Sequence, residues 1–419
     1  MIKFITEILQ KTNYMSVLSG KKIILGISGG IAAFKTAALV RLFIKAGAQI
    51  QVIMTPASKD FITPLTLSTL SNNPVYSTFY DEENENAKWN NHVELALWAD
   101  LIVIAPATAN TLSKLVNGVC DNLLIATYLS SKCPVYIAPA MDLDMYKHPS
   151  TIENLNALKS FGNQIIPVEI GALASGLFGE GRMAEPENII SFLENDIEGK
   201  LPLKGKKILI TAGPTYEAID PVRFIGNHSS GKMGFEIAIN ALDQGAEVVM
   251  VTGPTHLNIE HVNLKLIRVT AAKEMYEACH EHFNSVDVAI CAAAVSDYKP
   301  KFVASQKIKK NNSTIEIELE KTEDILGSLG EIKGTKFLIG FALETENEIE
   351  NATLKIQKKN LDLIVLNSLN DVGSGFGKET NKVSFINKDL HKEPMELKSK
   401  SLVAKDIIDR VISHFNKTN

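Results

Sequence analysis

Cysteine is scarce in this chain. Four thiols, Cys120, Cys133, Cys279 and Cys291, are spread over 419 residues and form no C-x-x-C pair. That spacing argues against a disulfide scaffold and a zinc ribbon, and fits a reducing cytoplasm. A basic surplus is also missing: 43 Lys and Arg stand against 48 Asp and Glu, a net charge of -5. Nucleic acid is therefore not expected as the main partner, and any positive site must be local. The N-terminal stretch MIKFITEILQKTNYMSVLSGKK has no long apolar run and carries Glu7, so neither a signal peptide nor a membrane span is expected. Residues 1–14, ahead of Met15, read as an upstream start or a frayed helix. Finally, no G-x-G-x-x-G follows the first strand of either half, which disfavours a nicotinamide-dinucleotide fold.

What the chain does have is a strand–helix–strand rhythm that runs through it twice. KIILGIS, an apolar run, ends in Gly29-Gly30 and is followed by IAAFKTAALVRLFIKAG, with apolar residues at helical spacing, and by QIQVIMT. DLIVIAPATANT and VYIAPAM supply further strands. The rhythm restarts at KKILITAGPT, followed by GKMGFEIAINALDQGA and EVVMVTGPT, and continues through DVAICAAAV, KFLIGFAL and LDLIVLN. Alternation of this kind predicts an α/β fold: two tandem doubly wound, Rossmann-like domains, over residues 21–190 and 205–419. Residues 1–20 form an extension, and the polar, Gly- and Pro-bearing stretch 191–204 a linker. Sites in such sheets lie at the carboxyl ends of the strands, which singles out SGG, MTP, APATAN, APAM, TAGPT and AAAVSD.

GNHSSGKM (226–233) has the G-x-x-x-x-G-K spacing of a phosphate-binding loop, but the next residue is Met233 where such a loop needs a hydroxyl for Mg2+. Gly231 opening a helix, with Ser229 and Ser230 before it, still offers an anion site that includes Lys232. Two other patterns are discounted. Tyr128 and Lys132 have a dehydrogenase-like spacing with nothing around it, and His280 and His282, two apart on a helix, point to different faces.

In the first half, Ser28, Gly29 and Gly30 opening a helix, Thr55 of MTP, and Pro106, Thr108 and Asn110 of APATANT together suggest a mononucleotide site. SGGIAAFK, TPLTLSTLS, HVELALWAD, APATANT and PAMDLDMY resemble the FMN-binding cysteine decarboxylases. Their order is that of the decarboxylase half of the bifunctional phosphopantothenoylcysteine decarboxylase / phosphopantothenate-cysteine ligase family. The resemblance implies FMN as an electron sink and carries His92 over as a proton-exchanging catalytic residue. Asp142 stands where the family usually has Asn. Ser175 stands where it often has a proton-donating Cys in a flap, although Gly179, Gly181, Arg182 and Met183 of that flap are retained. A carboxylate can only accept hydrogen bonds unless protonated, and a hydroxyl is a far weaker acid than a thiol. Both are kept as catalytic candidates with an altered proton route.

The second half resembles the ligase half of the same family through TAGPTYEAIDPVRFIGNHSSGKMG, AAAVSDYKP, QKIKK, GFALET and KIQKKNLDLIVLN. The resemblance implies that a carboxylate is activated by CTP as an acyl-cytidylate and then attacked by the amine of cysteine. It places Asn227 at the acyl-cytidylate and Lys307 on the phosphates. Cys291, Ala292, Ala293, Asp297, Glu323, Asp324, Phe341, Lys355 and Lys359 fall at the nucleotide, and Ser229, Ser230 and Lys232 at the substrate anion. Lys355 and Lys359, four apart, share a helical face and can converge on a triphosphate.

The expected activity is ligation of 4'-phosphopantothenate with L-cysteine, with Mg2+ accompanying the nucleotide, followed by FMN-dependent decarboxylation to 4'-phosphopantetheine. The resemblance further implies a homo-oligomer of trimeric flavodomains and dimeric ligase domains. Asp142 and Ser175 leave open an active ligase with an impaired flavodomain, and a regulatory flavoprotein without activity is the other alternative. CTP against ATP stays open.

Overall fold

The computed structural model describes residues 16–80, 89–309, 315–344, 346–368 and 378–418, so the expectation for residues 1–14 lies outside the described residues. The chain divides into two compact units, the boundary falling between Gly199 and Lys200. Each is a doubly wound α/β sheet.

In the first unit six parallel strands lie in the order Val75–Tyr76, Gln49–Met54, Lys22–Ile27, Leu101–Ala107, Val135–Pro139, Gln164–Ile165. The central strands are buried on both faces, Leu101–Ala107 at all seven positions, which is why they read as continuous apolar runs. Ile23, Leu25 and Ile27 pack on one side of the sheet with Leu39, Val40 and Phe43 of the helix Thr36–Lys45. Ile24, Ile102 and Ile104 pack on the other with Leu112 and Leu124. Residues 191–199, expected as linker, are the second half of the helix Pro186–Gly199. Its buried Ile189 and Leu193 belong to the first core, so the apolar stripe outweighs the polar composition that suggested a loop.

The second unit has an eight-stranded sheet in the order Leu264–Arg268, Glu247–Thr252, Lys207–Ala212, Val288–Cys291, Phe337–Glu344, Leu363–Ser368, Val383–Asn387, Lys392–Pro394. The first six strands are parallel, and the last two turn antiparallel at one edge. Numbered within their own unit, both sheets begin with the order 3-2-1-4-5-6. The strand order therefore reverses between strands one and four in each. In open α/β sheets the binding crevice lies at that switch point, beyond the carboxyl ends of the strands. It falls between SGG and APATAN in the first unit, and between TAGPT and AAAVSD in the second.

Candidate functional sites in the two units

At the first switch point Ser28 ties the two strand ends together. Its Oγ donates to the carbonyl of Pro106 at 2.7 Å and accepts from the backbone N–H of Thr108 at 3.0 Å. Thr108 caps the helix Ala109–Asn117 by accepting from the N–H of Thr111. Gly29 is required by close approach: a Cβ there would lie 2.7 Å from Cβ of Ala57 and 2.8 Å from its carbonyl carbon. The cleft these residues enclose, about 530 Å³, is lined by Gly29, Thr55, Thr108, Asn110 and Met141 among others, with Lys114 and Asp121 at its charged side. Thr55 is buried and its Oγ1 has no hydrogen-bond partner. A buried hydroxyl without a partner carries a desolvation cost that a ligand bearing hydrogen-bonding groups removes. A largely neutral cleft of hydroxyls, amides and backbone with one orphan hydroxyl fits a flavin mononucleotide.

A second cleft of about 510 Å³ shares Ala140 and Met141 with the first. Phe34, Lys35, Asp142, Leu173 and Arg182 line it further. Its roof is the antiparallel hairpin Glu169–Ala172 with Phe178–Arg182. Gly181 has φ +124°, and a Cβ there would meet the carbonyl oxygen of Met141 at 2.4 Å, so only glycine lets the hairpin close on this wall. Met141 in turn donates its N–H to the Gly181 carbonyl at 3.0 Å. Lys35 is buried, donating to the Met183 carbonyl at 2.9 Å and to Glu185 at 3.1 Å. Asp142 lines the cleft and accepts the N–H of Leu143 at 2.7 Å.

The other two catalytic candidates are placed differently. Ser175 sits at the exposed tip of the hairpin, where its Oγ accepts from the N–H of Leu177. His92 begins the helix His92–Trp98 and lines neither cleft. Its Nδ1 is buried without a partner, while Val93 and Leu97 on the same helix are exposed.

In the second unit the strand ends cross-link in the same way. The N–H of Ala293 is donated to Thr211 Oγ1 at 3.1 Å, that of Ala294 to the Gly213 carbonyl at 2.9 Å, and that of Ser296 to Thr215 Oγ1 at 3.0 Å. Asn227 spans this turn, its amide donating to the carbonyls of Ala294 and Val295 at 3.0 and 3.1 Å. On one side lies a cleft of about 680 Å³ whose lining includes Asn227, Cys291, Asp297, Glu323, Asp324, Lys355 and Lys359. On the other lies a pocket of about 150 Å³ lined by Ser229, Ser230, Lys232, Asn381 and Lys400, among others. Ala293, Ala294, Phe341 and Leu343 border both, and Ala292 belongs to the smaller.

The large cleft is ionic. Lys355 donates to the Phe341 carbonyl at 2.8 Å and Lys359 to Asp324 at 2.9 Å. Burial, and then the neighbouring Lys359, push the Lys355 ammonium below the ordinary lysine range. Burial works to raise the Asp324 carboxyl, but the Lys359 hydrogen bond and charge bring it lower than usual. Glu323 Oε2 is buried and unpartnered. Burial drives the Cys291 thiol up to about 12, so this cysteine lines the cleft as an inert wall. Lys307 stands apart: it is exposed and not in the lining, on a segment anchored by Asp220. That buried carboxylate accepts the N–H of Ile308 at 3.1 Å and pairs with Arg223.

The patterns discounted in the sequence have structural partners instead. Tyr128 Oη accepts from Asn163 at 2.9 Å, and His280 meets Ser328 at 2.9 Å. Among the described residues no three His, Cys, Asp or Glu side chains gather as a metal would require. No helix among them is long and apolar enough to cross a membrane. Asn367, Asn381 and Lys400 were not foreseen as site residues. Their only sequence signal is polarity at the end of a strand and the start of a helix, which is too common to single them out.

Comparison with known proteins agrees with the two-part architecture. Residues 11–198 match the family model described as flavoprotein, and residues 203–415 match the DNA/pantothenate metabolism flavoprotein C-terminal domain. A protein of an unknown prokaryotic organism named cysteine/cysteine sulfinic acid decarboxylase is 52% identical over 84% of this chain and 99% of its own length. The coenzyme A biosynthesis bifunctional protein CoaBC of Bacillus subtilis is 42% identical over 96% of this chain and 99% of its own. That of Haemophilus influenzae is likewise 42% identical, over the same shares.

Proposed function

The chain belongs to the DNA/pantothenate metabolism flavoprotein family of bifunctional coenzyme A biosynthesis enzymes, and on that footing we propose how its two units divide the work. The second unit joins 4'-phosphopantothenate to L-cysteine at the expense of CTP, with Mg2+ accompanying the nucleotide. The first unit decarboxylates the product to 4'-phosphopantetheine with FMN. The observation that carries this assignment is the pair of cavities meeting at Ala293 and Ala294: a small cationic pocket on one side and a large ionic cleft on the other. A substrate with an anion at one end and a carboxylate at the other can place that carboxylate at the shared wall, beside Asn227, with the nucleotide's α-phosphorus across it. The carboxylate oxygen bonds to that phosphorus as pyrophosphate leaves. The cysteine amine then bonds to the acyl carbon as the nucleoside monophosphate leaves. Lys355 and Lys359 offset the charge of the phosphates, and Lys307, on its tethered segment, supplies a third cation.

In the first unit Gly29, Thr55, Thr108 and Asn110 would hold FMN, which when bound supplies a two-electron sink that no side chain offers. Lys35 and Arg182, both paired with Glu185, line the adjoining cleft, where the substrate enters, and the Gly181 hairpin shields it from water. Asp142 presents a carboxyl group at its wall. His92 lies outside both clefts on a helix with an exposed apolar face, and both facts are met by a homo-oligomer in which His92 of one copy completes the cleft of another. We take the protein to act in the cytoplasm, where its substrates are small soluble metabolites.

The test is mass spectrometry of the products formed by purified protein from phosphopantothenate, cysteine, Mg2+ and either CTP or ATP. Release of 4'-phosphopantetheine with CTP is the expected result. Asp142 and the cysteine-decarboxylating relative favour a second reading, in which the first unit is inactive on phosphopantothenoylcysteine. That reading is established if the reaction stops at phosphopantothenoylcysteine, or if CO2 is released from free cysteine instead.

A further inference from the structure

His92 lacks what ordinarily aims a working imidazole. In such rings one nitrogen is held by a hydrogen bond, so that the other faces the chemistry. Here Nδ1 is buried and has no partner among the described residues. The residue as a whole is only partly buried, which leaves Nε2 as the outward nitrogen. The angle of the ring must therefore be set by packing.

The backbone on either side of His92 is pinned first. Asn91 caps the helix His92–Trp98, its Oδ1 accepting the N–H of Val93 at 3.0 Å and that of Glu94 at 3.4 Å. Asn90 donates its N–H to the Phe79 carbonyl at 2.7 Å and its Nδ2 to the Thr78 carbonyl at 2.8 Å. These bonds bring Phe79 to the imidazole. The two rings stand at 90° with centroids 6.1 Å apart, an arrangement that aromatic pairs favour. Phe79 packs at the edge of the core that contains Ile24, Ile102 and Ile104. It is also stacked on Trp89 at 5.2 Å and 19°, and Tyr80 stacks on the same indole at 6.3 Å and 20°. Trp89 and Tyr80 are both exposed. The stack therefore hides little apolar surface from water, and its effect is to stiffen Phe79 against His92.

Burial also chooses the tautomer. A neutral imidazole carries one proton, and a proton on Nδ1 would be a buried donor without an acceptor. Orphaned buried N–H groups are rarer than orphaned acceptors, so the proton sits on Nε2. We propose that Phe79, backed by Trp89, is the positioning residue for His92: it holds the imidazole with Nδ1 inward and a protonated Nε2 outward as the atom presented to substrate. The inference rests on the reading that His92 serves the decarboxylation cleft of another copy. It deepens that reading by naming the atom that acts and the rings that aim it. Phe79 and Trp89 take no part in any bond change.

The test uses the full-length, flavin-loaded protein and two readouts. One is decarboxylation of supplied phosphopantothenoylcysteine. The other is the nitrogen-15 solid-state NMR spectrum of histidine-labelled protein, in which His92 is the signal missing from His92→Asn. Phe79→Leu keeps apolar volume and removes the ring. It should lower kcat by about threefold to tenfold, the scale of one aromatic pair, and leave KM, bound flavin and ligation unchanged. Phe79→Tyr should restore most of kcat. In the spectra the wild type should show a protonated Nε2 and a bare Nδ1, and Phe79→Leu a mixture of both tautomers. A wild-type ring protonated on Nδ1, or a tautomer unaltered in Phe79→Leu, would overturn the proposal. So would a raised KM at constant kcat, which would make Phe79 part of the binding surface. If Phe79→Leu does not fold, Trp89→Leu, at an exposed side chain, decides by the same readouts. A wild type that releases no CO2 from phosphopantothenoylcysteine, or a His92→Asn variant that still does, would defeat the underlying reading of the first unit instead, and the spectra would still decide how the ring is held.

Discussion

The two units share a strand order and a switch point but use them in opposite electrostatic styles. The first builds a cleft of hydroxyls, amides and backbone, with charge at its margin in Lys114 and Asp121. The second lines its larger cleft with Asp297, Glu323, Asp324, Lys355 and Lys359, and adds a separate pocket holding Lys232 and Lys400. A neutral shelf suits a cofactor that stays and is recognised by shape and hydrogen bonds. Charges of both signs suit polyanions that arrive, react and leave, and Lys359 and Lys232 have carboxylates, Asp324 and Glu379, to return to. The same sheet serves both, which places function in the strand-end loops and not in the fold.

The contrast breaks most sharply at Gly29. A side chain there collides with the Ala57 backbone, so Gly29→Val should abolish flavin binding, read as loss of yellow colour and of decarboxylation. Ligation, carried out in the other unit, should persist. Loss of both activities together would mean that the units are not independent.

Asp220 should give the next largest effect, confined to the second unit. It accepts from the N–H groups of Val222, Arg223 and Ile308 and pairs with Arg223, which holds its carboxyl well below the usual carboxylate range. Asp220→Asn should weaken the anchoring of the segment bearing Lys307 and lower ligase kcat/KM on the order of tenfold, the scale of one charge-assisted hydrogen bond. Decarboxylation of supplied phosphopantothenoylcysteine should be unaffected. The pH dependence has a definite sign. Because the folded carboxyl is more acidic than the unfolded one, at about 3.9, its contribution to stability is complete above that value. It is lost as pH falls through the lower folded value. Acid titration of the ellipticity should therefore show the wild type ahead of Asp220→Asn at neutral pH, with the advantage vanishing in strong acid.

The smallest effect sharpens the comparison from the flavin side. Thr55→Val removes a buried hydroxyl that has no partner, so the flavin-free protein should be as stable as the wild type or slightly more so. Flavin affinity should fall by several-fold, about one hydrogen bond. Equal affinity in a fluorescence titration would show that Thr55 does not touch the cofactor.

Much of this was legible along the chain. Buried parallel strands read as apolar runs, and their endings read as Gly-, Pro- and Thr-bearing turns. Those turns include Ser28, Thr108 and Asp297, which line or border the clefts because the carboxyl ends of such strands are where clefts form. Two regions read less well. The start of the expected linker proved to be helix, since the packing of Leu193 outweighed local polarity. The antiparallel strand Val383–Asn387, last but one in the sheet, went unseen because its pairing with Leu363–Ser368 leaves no signal in its own residues.

By itself, the sequence determined the fold class, the duplication of one βα plan and the chemistry available at each strand end, since these follow from periodicity and from turn residues within a few positions of one another. Only the tertiary structure decided which of those residues share a cavity. It put Asp142 in the wall of a cleft and Ser175 at an exposed hairpin tip, left His92 out of both clefts of its unit and Lys307 out of the ionic cleft, and brought Lys400 to Lys232 across 167 intervening positions. The physical reason is that a site is made by closing long loops onto a packed sheet. The partners it selects are set by register and burial, and neither is written in the spacing of residues along the chain.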